Sequence, residues 1–461
     1  MAAISLVVVG LAVIAVIALS GGDSLPTPPP ASTAQPIAGN VFGYDSSREA
    51  QFVSRATAGN AHALFVKSPG GVLATASRVA AYRPLIDRVT AGTGIDPNLL
   101  EGLVFVESAG RPDAIAGTDV ADAVGLTQIL AETGQSLLGM HIDLQQSRKL
   151  TRQIDELAPT AQHAVYGFLL ARRQAADPRF SPAAELAATV RYLEIAERQF
   201  GREDLAFESY HMGIGNLHQV LDDYDGGASV PYAQLYFDVA PTRHASAYRL
   251  LQSFGDDSSL YYWRILGAVS IMHLWRTDRT ALRRLVSLQT ADDAGAAALG
   301  PPQTVSSYAD ASALAAAYQR KTLVPLPANA AQLGLAVNPQ MGAGAAKGAP
   351  ASLYRGLRPP ALHMLIEIGS GVRSLSRVAA PLHVYSTVGD TRYLEAQNAL
   401  YPPATSGYSF AITRRYAGRG AQATAFQELL DRLQSLDLIA WAREPSTIEI
   451  TAAPNATSWQ P

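Results

Sequence analysis

Glu107 closes an apolar run, Asp96-Pro97-Asn98-Leu99-Leu100-Glu101-Gly102-Leu103-Val104-Phe105-Val106-Glu107-Ser108-Ala109-Gly110, whose pattern can hold a carboxylic acid in its protonated form. Asp96 is a good N-cap, Pro97 suits the first helical position, and Ala109-Gly110-Arg111-Pro112 supplies the stop. Glu107 is therefore expected in the last turn of a helix. There the unpaired carbonyls and the negative end of the helix dipole oppose ionisation, and apolar neighbours add desolvation in the same direction. A carboxyl kept neutral near pH 7 is what cleavage of a glycosidic bond requires, since the leaving oxygen needs a proton as the bond breaks. The plain alternative is a solvated Glu at a helix end, and the surrounding segments decide between the two.

Two further segments bear on that choice. Gly125-Leu126-Thr127-Gln128-Ile129 follows a loop carrying Asp113, Asp119 and Asp122, and Glu208-Ser209-Tyr210-His211-Met212-Gly213-Ile214-Gly215-Asn216 lies beyond a long helical stretch. Together with Glu107-Ser108 they resemble, in order and spacing, the three motifs of the bacterial soluble lytic transglycosylases, relatives of goose-type lysozyme: Glu-Ser, Gly-Leu-Met-Gln and Ala-Tyr-Asn-x-Gly. The resemblance covers roughly residues 75–290 and departs at two positions, Thr127 for Met and His211 for Asn.

What the resemblance implies is a mainly α, lysozyme-like N-terminal domain with Glu107 as sole acid and base. Glu107 would protonate the oxygen between two amino sugars and recover a proton from the sugar's own 6-hydroxyl as that group closes onto the anomeric carbon. Tyr210 would hydrogen-bond the carboxyl. Ser108 and Gln128 would contact the glycan, Gly125 and Gly213 would leave room for it, and His211 falls on a substrate-facing position. No metal or cofactor enters this chemistry. An Asp of the loop, placed opposite Glu107 to position water, would instead make an inverting hydrolase. A wall-binding scaffold without catalysis is the reading from a different class.

The elements that must hold these groups read as helices. Ala-rich stretches over residues 46–67 and 72–91 suggest two helices that brace the acid helix. Helical spacing continues over residues 133–138, 147–157 and 161–175. Pro182 opens a long amphipathic helix over residues 183–200 closed by Gly201, and residues 204–212 form the short helix bearing Tyr210. Aromatic residues cluster over residues 232–288, where sugar rings could stack in a glycan groove; from Ser259 to Leu288 the apolar residues recur at helical spacing, and the stripe reads as core.

The 461 residues allow about three domains. A net charge of -3 and a charged fraction of 16% give no argument for nucleic acid, and the absence of cysteine excludes disulfides, thiolate zinc sites and a cysteine nucleophile. Residues 2–19 are almost wholly apolar and are followed by a Pro-rich run over residues 26–36. This reads as export, by a removed signal peptide or a retained membrane anchor over residues 1–20, with a flexible tether over 21–43. The expected partners are peptidoglycan glycan strands and other wall proteins, with the membrane touched only through the N-terminal segment.

Residues 291–352, rich in Ala, Gly, Pro and Gln and interrupted by one helix-compatible piece from Tyr308 to Lys321, read as a linker. Beyond them, residues 353–455 read as a smaller α+β domain. Its Tyr385-Ser386-Thr387 with Asp390 and Tyr393, then Gly407 through Ile412, then residues 441–444, faintly resemble the zinc D-Ala-D-Ala carboxypeptidases. Ala404 and Ala411 stand at the positions of that family's first His and its Asp, Glu449 where the later His falls, and Glu444 at the position of its base. Alanine cannot ligate zinc, so what the resemblance implies is a metal-free remnant that binds peptidoglycan stems or packs on the first domain.

Overall fold

The structure, a computed structural model, describes residues 25–37, 41–157, 163–290, 307–346, 348–397 and 402–460. A mainly helical domain is followed by an α+β domain. The apolar stretch over residues 2–19 lies outside the described residues, and among those described no helix is long and apolar enough to cross a membrane.

The helical domain is built around the Pro97–Ser108 helix. Asp96 accepts a hydrogen bond from the Asn98 amide at 2.7 Å, and Ala109 ends the helix in a left-handed conformation. The helix lies antiparallel to Tyr261–Thr277, and Gly102 makes the crossing close: a β-carbon there would stand 2.8 Å from the Ile265 carbonyl. Glu101, on the same helix, receives Arg276 at 2.6 Å and Arg83 at 3.3 Å. The bracing stretches each form two helices rather than one, Glu49–Gly59 with His62–Lys67 and Val72–Ala80 with Arg83–Thr90. Gly59 and Pro84 sit at the breaks, where glycine weakens a helix and proline suits a first turn. Arg78 of Val72–Ala80 donates to the Ala109 carbonyl at 2.9 Å, tying down the end of the acid helix. Pro182–Phe200, closed by a left-handed Gly201, and Glu203–Met212 complete the frame.

In the α+β domain seven strands form among the described residues, β1 Val324–Pro325, β2 Leu335–Val337, β3 Gly356–Leu357, β4 Leu382–Ser386, β5 Ser409–Thr413, β6 Ile439–Arg443 and β7 Thr447–Ala452. β1 pairs with β3. The others make a five-stranded sheet in the order β2-β4-β5-β7-β6, with β2 parallel to β4 and the remaining pairs antiparallel. Helices Pro359–Ser376 and Ala421–Ser435 cover one face, packing Met364, Ile368, Phe426 and Leu429 in one core with Ile412, Ile448 and Ile450.

Two assignments are corrected here. The described part of the stretch read as a linker is packed into the domain: β2 joins the sheet, and the helix Ala311–Gln319, within the helix-compatible piece expected from Tyr308 to Lys321, buries Leu314 and Tyr318. Its low charge and many alanines are those of a packed segment, which composition alone does not separate from a linker. The described part of the tether is likewise docked, with Asn329 exchanging hydrogen bonds with the Ala34 backbone at 2.7 and 3.0 Å.

The two domains share a core. Phe52 of Glu49–Gly59 packs its ring 4.9 Å from Phe237 and 4.9 Å from Trp459, and Arg432 lies 3.6 Å above the Tyr236 ring. Gly59 is required at this seam, since a β-carbon there would come within 2.3 Å of the Gln434 carbonyl.

Candidate active site

Glu107 opens onto a cleft of about 290 Å³ lined among others by Lys67, Phe105, His211, Asp257, Tyr261 and Arg264. Its side chain is half-buried, with the carboxyl end enclosed, and burial pushes its pKa up to about 7. Tyr261 donates its hydroxyl to Glu107 Oε1 at 2.5 Å, which acts in the opposite direction by favouring the carboxylate. A carboxyl near neutrality, oriented by one donor and reached through a cleft, is suited to give a proton and take it back.

His211 lines this cleft. Its ring packs against that of Tyr261, 5.1 Å between centroids, and Nδ1 lies 3.0 Å from Ser258 Oγ. Desolvation lowers its pKa, which keeps the imidazole neutral around pH 7.

The other expected contacts support the site from behind. Ser108 is buried, and its hydroxyl donates to the Leu126 carbonyl at 2.7 Å, fastening the acid helix to the second motif rather than meeting a sugar. Gly125, at φ +90°, leaves room for protein rather than glycan: a β-carbon would fall 2.1 Å from the Arg179 carbonyl and 2.5 Å from the Glu185 carboxylate. Gln128 turns its amide inward, Nε2 donating to the Gly125 carbonyl at 2.7 Å, and does not line the cleft. Tyr210 does not hydrogen-bond Glu107. Its hydroxyl donates to the Thr127 carbonyl at 3.0 Å, while burial and the nearby Glu107 charge raise its pKa. Gly213, also at φ +90°, makes the corner between Glu203–Met212 and Ile214–Asp225, a conformation that side chains rarely adopt.

Compared with models of known protein families and with curated protein sequences, the chain matches none.

Two functional groups escaped the sequence. Tyr261 sits inside the aromatic run that reads as core, and it is core except for the hydroxyl that meets Glu107. Glu185 is wholly buried in Pro182–Phe200. It accepts the Leu126 and Thr127 amides at 2.6 and 2.8 Å and the Thr127 hydroxyl at 3.0 Å, while desolvation pushes its pKa up to about 8. A carboxylate in an alanine-rich helical face was its signal. The Thr127 departure from the motif follows, because a Met there would offer Glu185 no hydroxyl.

None of the loop aspartates lines the cleft. Asp119 is held by Arg148 at 2.6 Å and accepts the Ala121 amide, Asp122 accepts the Asp119 amide, and Asp113 is exposed. Asp257 is the carboxylate that shares the cleft with Glu107; Arg264, 2.5 Å away, lowers its pKa.

Proposed function

We propose that the chain is an exported cell-wall enzyme, a lytic transglycosylase that cleaves the β-1,4 bond between N-acetylmuramic acid and N-acetylglucosamine and leaves a 1,6-anhydro end. The observation that carries this reading is the enclosed Glu107 carboxyl, with its pKa pushed up to about 7, at the end of a cleft and under the Tyr261 hydroxyl. The ordered motifs that led to Glu107 support it.

In this mechanism the protonated Glu107 gives its proton to the glycosidic oxygen as the anomeric bond breaks. The resulting carboxylate takes the proton of the 6-hydroxyl while that oxygen bonds to the anomeric carbon. The tethered nucleophile makes a second protein base unnecessary. Tyr261 acts as a positioning residue, since its hydroxyl fixes the carboxyl and steadies the transient negative charge. His211, Lys67 and Arg264 line the path by which a glycan bearing peptide carboxylates would enter. The hydrolytic alternative would need Asp257 to leave Arg264 and activate water.

Turnover of purified peptidoglycan should be highest where Glu107 is protonated, and should fall about tenfold for each pH unit above about 7. Tyr261→Phe removes a hydrogen bond that lowers this pKa, so the alkaline limb should move upward. Its maximum rate should drop about tenfold through loss of orientation. A limb that stays in place in Tyr261→Phe would show that the hydroxyl does not act on Glu107, and a wild-type profile still rising above pH 8 would remove Glu107 as the acid.

A further inference from the structure

The seam between the two domains holds a cavity of about 560 Å³. Tyr248, Arg249 and Gln252 wall it from the helical domain, on the helix Ala245–Ser253. From the α+β domain come Arg414 and Tyr416, just beyond β5, and Arg443 at the end of β6. Cavities of roughly 300–1,000 Å³ take small ligands, and the boundary between domains is a preferred place for them.

We propose that this cavity binds a soluble ligand through a phosphate group held by Arg249, Arg414 and Arg443, and that the ligand bridges the two domains. The site shares no lining residue with the Glu107 cleft and does not depend on the chemistry there.

Three guanidinium groups meet here without a counter-charge. Among the described residues no ion pair includes any of them. Each is held by neutral oxygens instead. Arg414 Nη1 donates to the Glu444 and Pro445 carbonyls at 2.7 and 3.1 Å, Arg443 Nη2 to Gln427 Oε1 at 2.8 Å, and Arg249 Nε to the Ala245 carbonyl at 3.1 Å. A guanidinium has five N–H donors, so each keeps some for a ligand while its position is set. Two of the groups converge on one point: burial raises the pKa of the Tyr416 hydroxyl, and the charges of Arg414 and Arg443 both pull it back down. The Tyr416 ring rests on Phe426, 6.0 Å between centroids, which fixes that wall.

Two carboxylates also line the cavity, and they do not cancel its charge. Glu428 is answered by buried Arg432 at 2.9 Å, and Asp431 accepts the Gln427 amide at 2.8 Å. Three guanidinium charges therefore face Asp431, and an anion is the favoured occupant. A phosphate group fits better than a carboxylate. The arginines come from three separate elements, and a tetrahedral phosphate has oxygens for all of them, whereas a carboxylate has two in one plane. A flat bilayer cannot bring its headgroups into a hollow between domains, which favours a soluble phosphate over a lipid.

Calorimetric titration of the full chain with inorganic pyrophosphate tests this. Pyrophosphate should bind and raise the melting temperature. Arg249→Gln should weaken binding about tenfold or more and leave the melting temperature without ligand unchanged, since that guanidinium bonds a turn of its own helix. Arg443→Gln should weaken binding to a similar degree. Citrate, a polyanion made of carboxylates, should bind about tenfold more weakly than pyrophosphate, and phosphatidylglycerol vesicles should sediment no more of the chain than phosphatidylcholine vesicles do. Glu107→Gln should leave the affinity as it was, so failure here and failure of the enzymatic reading are separable. No binding of pyrophosphate, or undiminished binding by Arg249→Gln, would overturn the proposal. Citrate binding as tightly would overturn its phosphate part, and preference for phosphatidylglycerol vesicles that Arg249→Gln abolishes would overturn its soluble ligand. Should Arg443→Gln not fold, Arg249→Gln still decides.

Discussion

Glu107→Gln should lose at least about a thousandfold in glycan cleavage, in line with the roughly 10²–10⁴-fold contribution of a positioned acid and the double use of this group. The amide cannot give up a proton to the glycosidic oxygen, and it cannot receive one from the 6-hydroxyl. It does retain the shape of the carboxyl, so binding to insoluble peptidoglycan should persist. Stability should respond to pH in a defined direction. The folded-state pKa of about 7 lies above the ordinary 4.5, so burial of this carboxyl is tolerated below about pH 4.5 and becomes costly as pH rises through 7. Glu107→Gln should therefore melt like the wild type at pH 4 and above it at pH 8. Equal melting at both would mean that the carboxyl is not desolvated, and cleavage within tenfold of wild type would end the assignment of Glu107.

Gly125→Ala should cost about 2–6 kcal/mol of stability, combining roughly 1–3 kcal/mol for a side chain at unfavourable φ with roughly 1–3 kcal/mol for overpacking. The added methyl would meet the Arg179 carbonyl and both oxygens of Glu185, all fixed in buried hydrogen-bonded positions. Relief would require Glu185 to release the Leu126 and Thr127 amides, and with them the loop whose carbonyl holds Tyr210. Chemical denaturation reads the loss directly. A midpoint like that of wild type would mean that the second motif is not clamped by Glu185.

The helix bearing Glu107 was legible because its cap, its proline and its stop are local signals, and the α+β character of residues 353–455 followed from periodicity and turn residues, whereas β1 and β2, in the stretch read as a linker, did not. The roles of Ser108, Gly125 and Gln128 were not. Motif spacing brings three segments together, but whether a polar group faces the cleft or the protein depends on side-chain direction, and here all three face inward. Tyr261 was hidden for the converse reason: an aromatic residue at core spacing carries a hydroxyl at one end, and its partner lies 154 residues away. Packing of the α+β domain on the first was one of the two expected roles, but the residues of the seam were not legible, since Phe52, Phe237 and Trp459 meet only through tertiary packing.

Mass spectrometry of the soluble fragments released from purified peptidoglycan tests the central claim most directly. Muropeptides ending in 1,6-anhydro-N-acetylmuramic acid, each lighter by one water than its hydrolysed counterpart and absent from the Glu107→Gln digest, are the predicted result. Fragments with reducing ends would give the cleft to water and to Asp257, and the lack of any soluble fragment from wild-type protein would contradict the enzymatic account altogether.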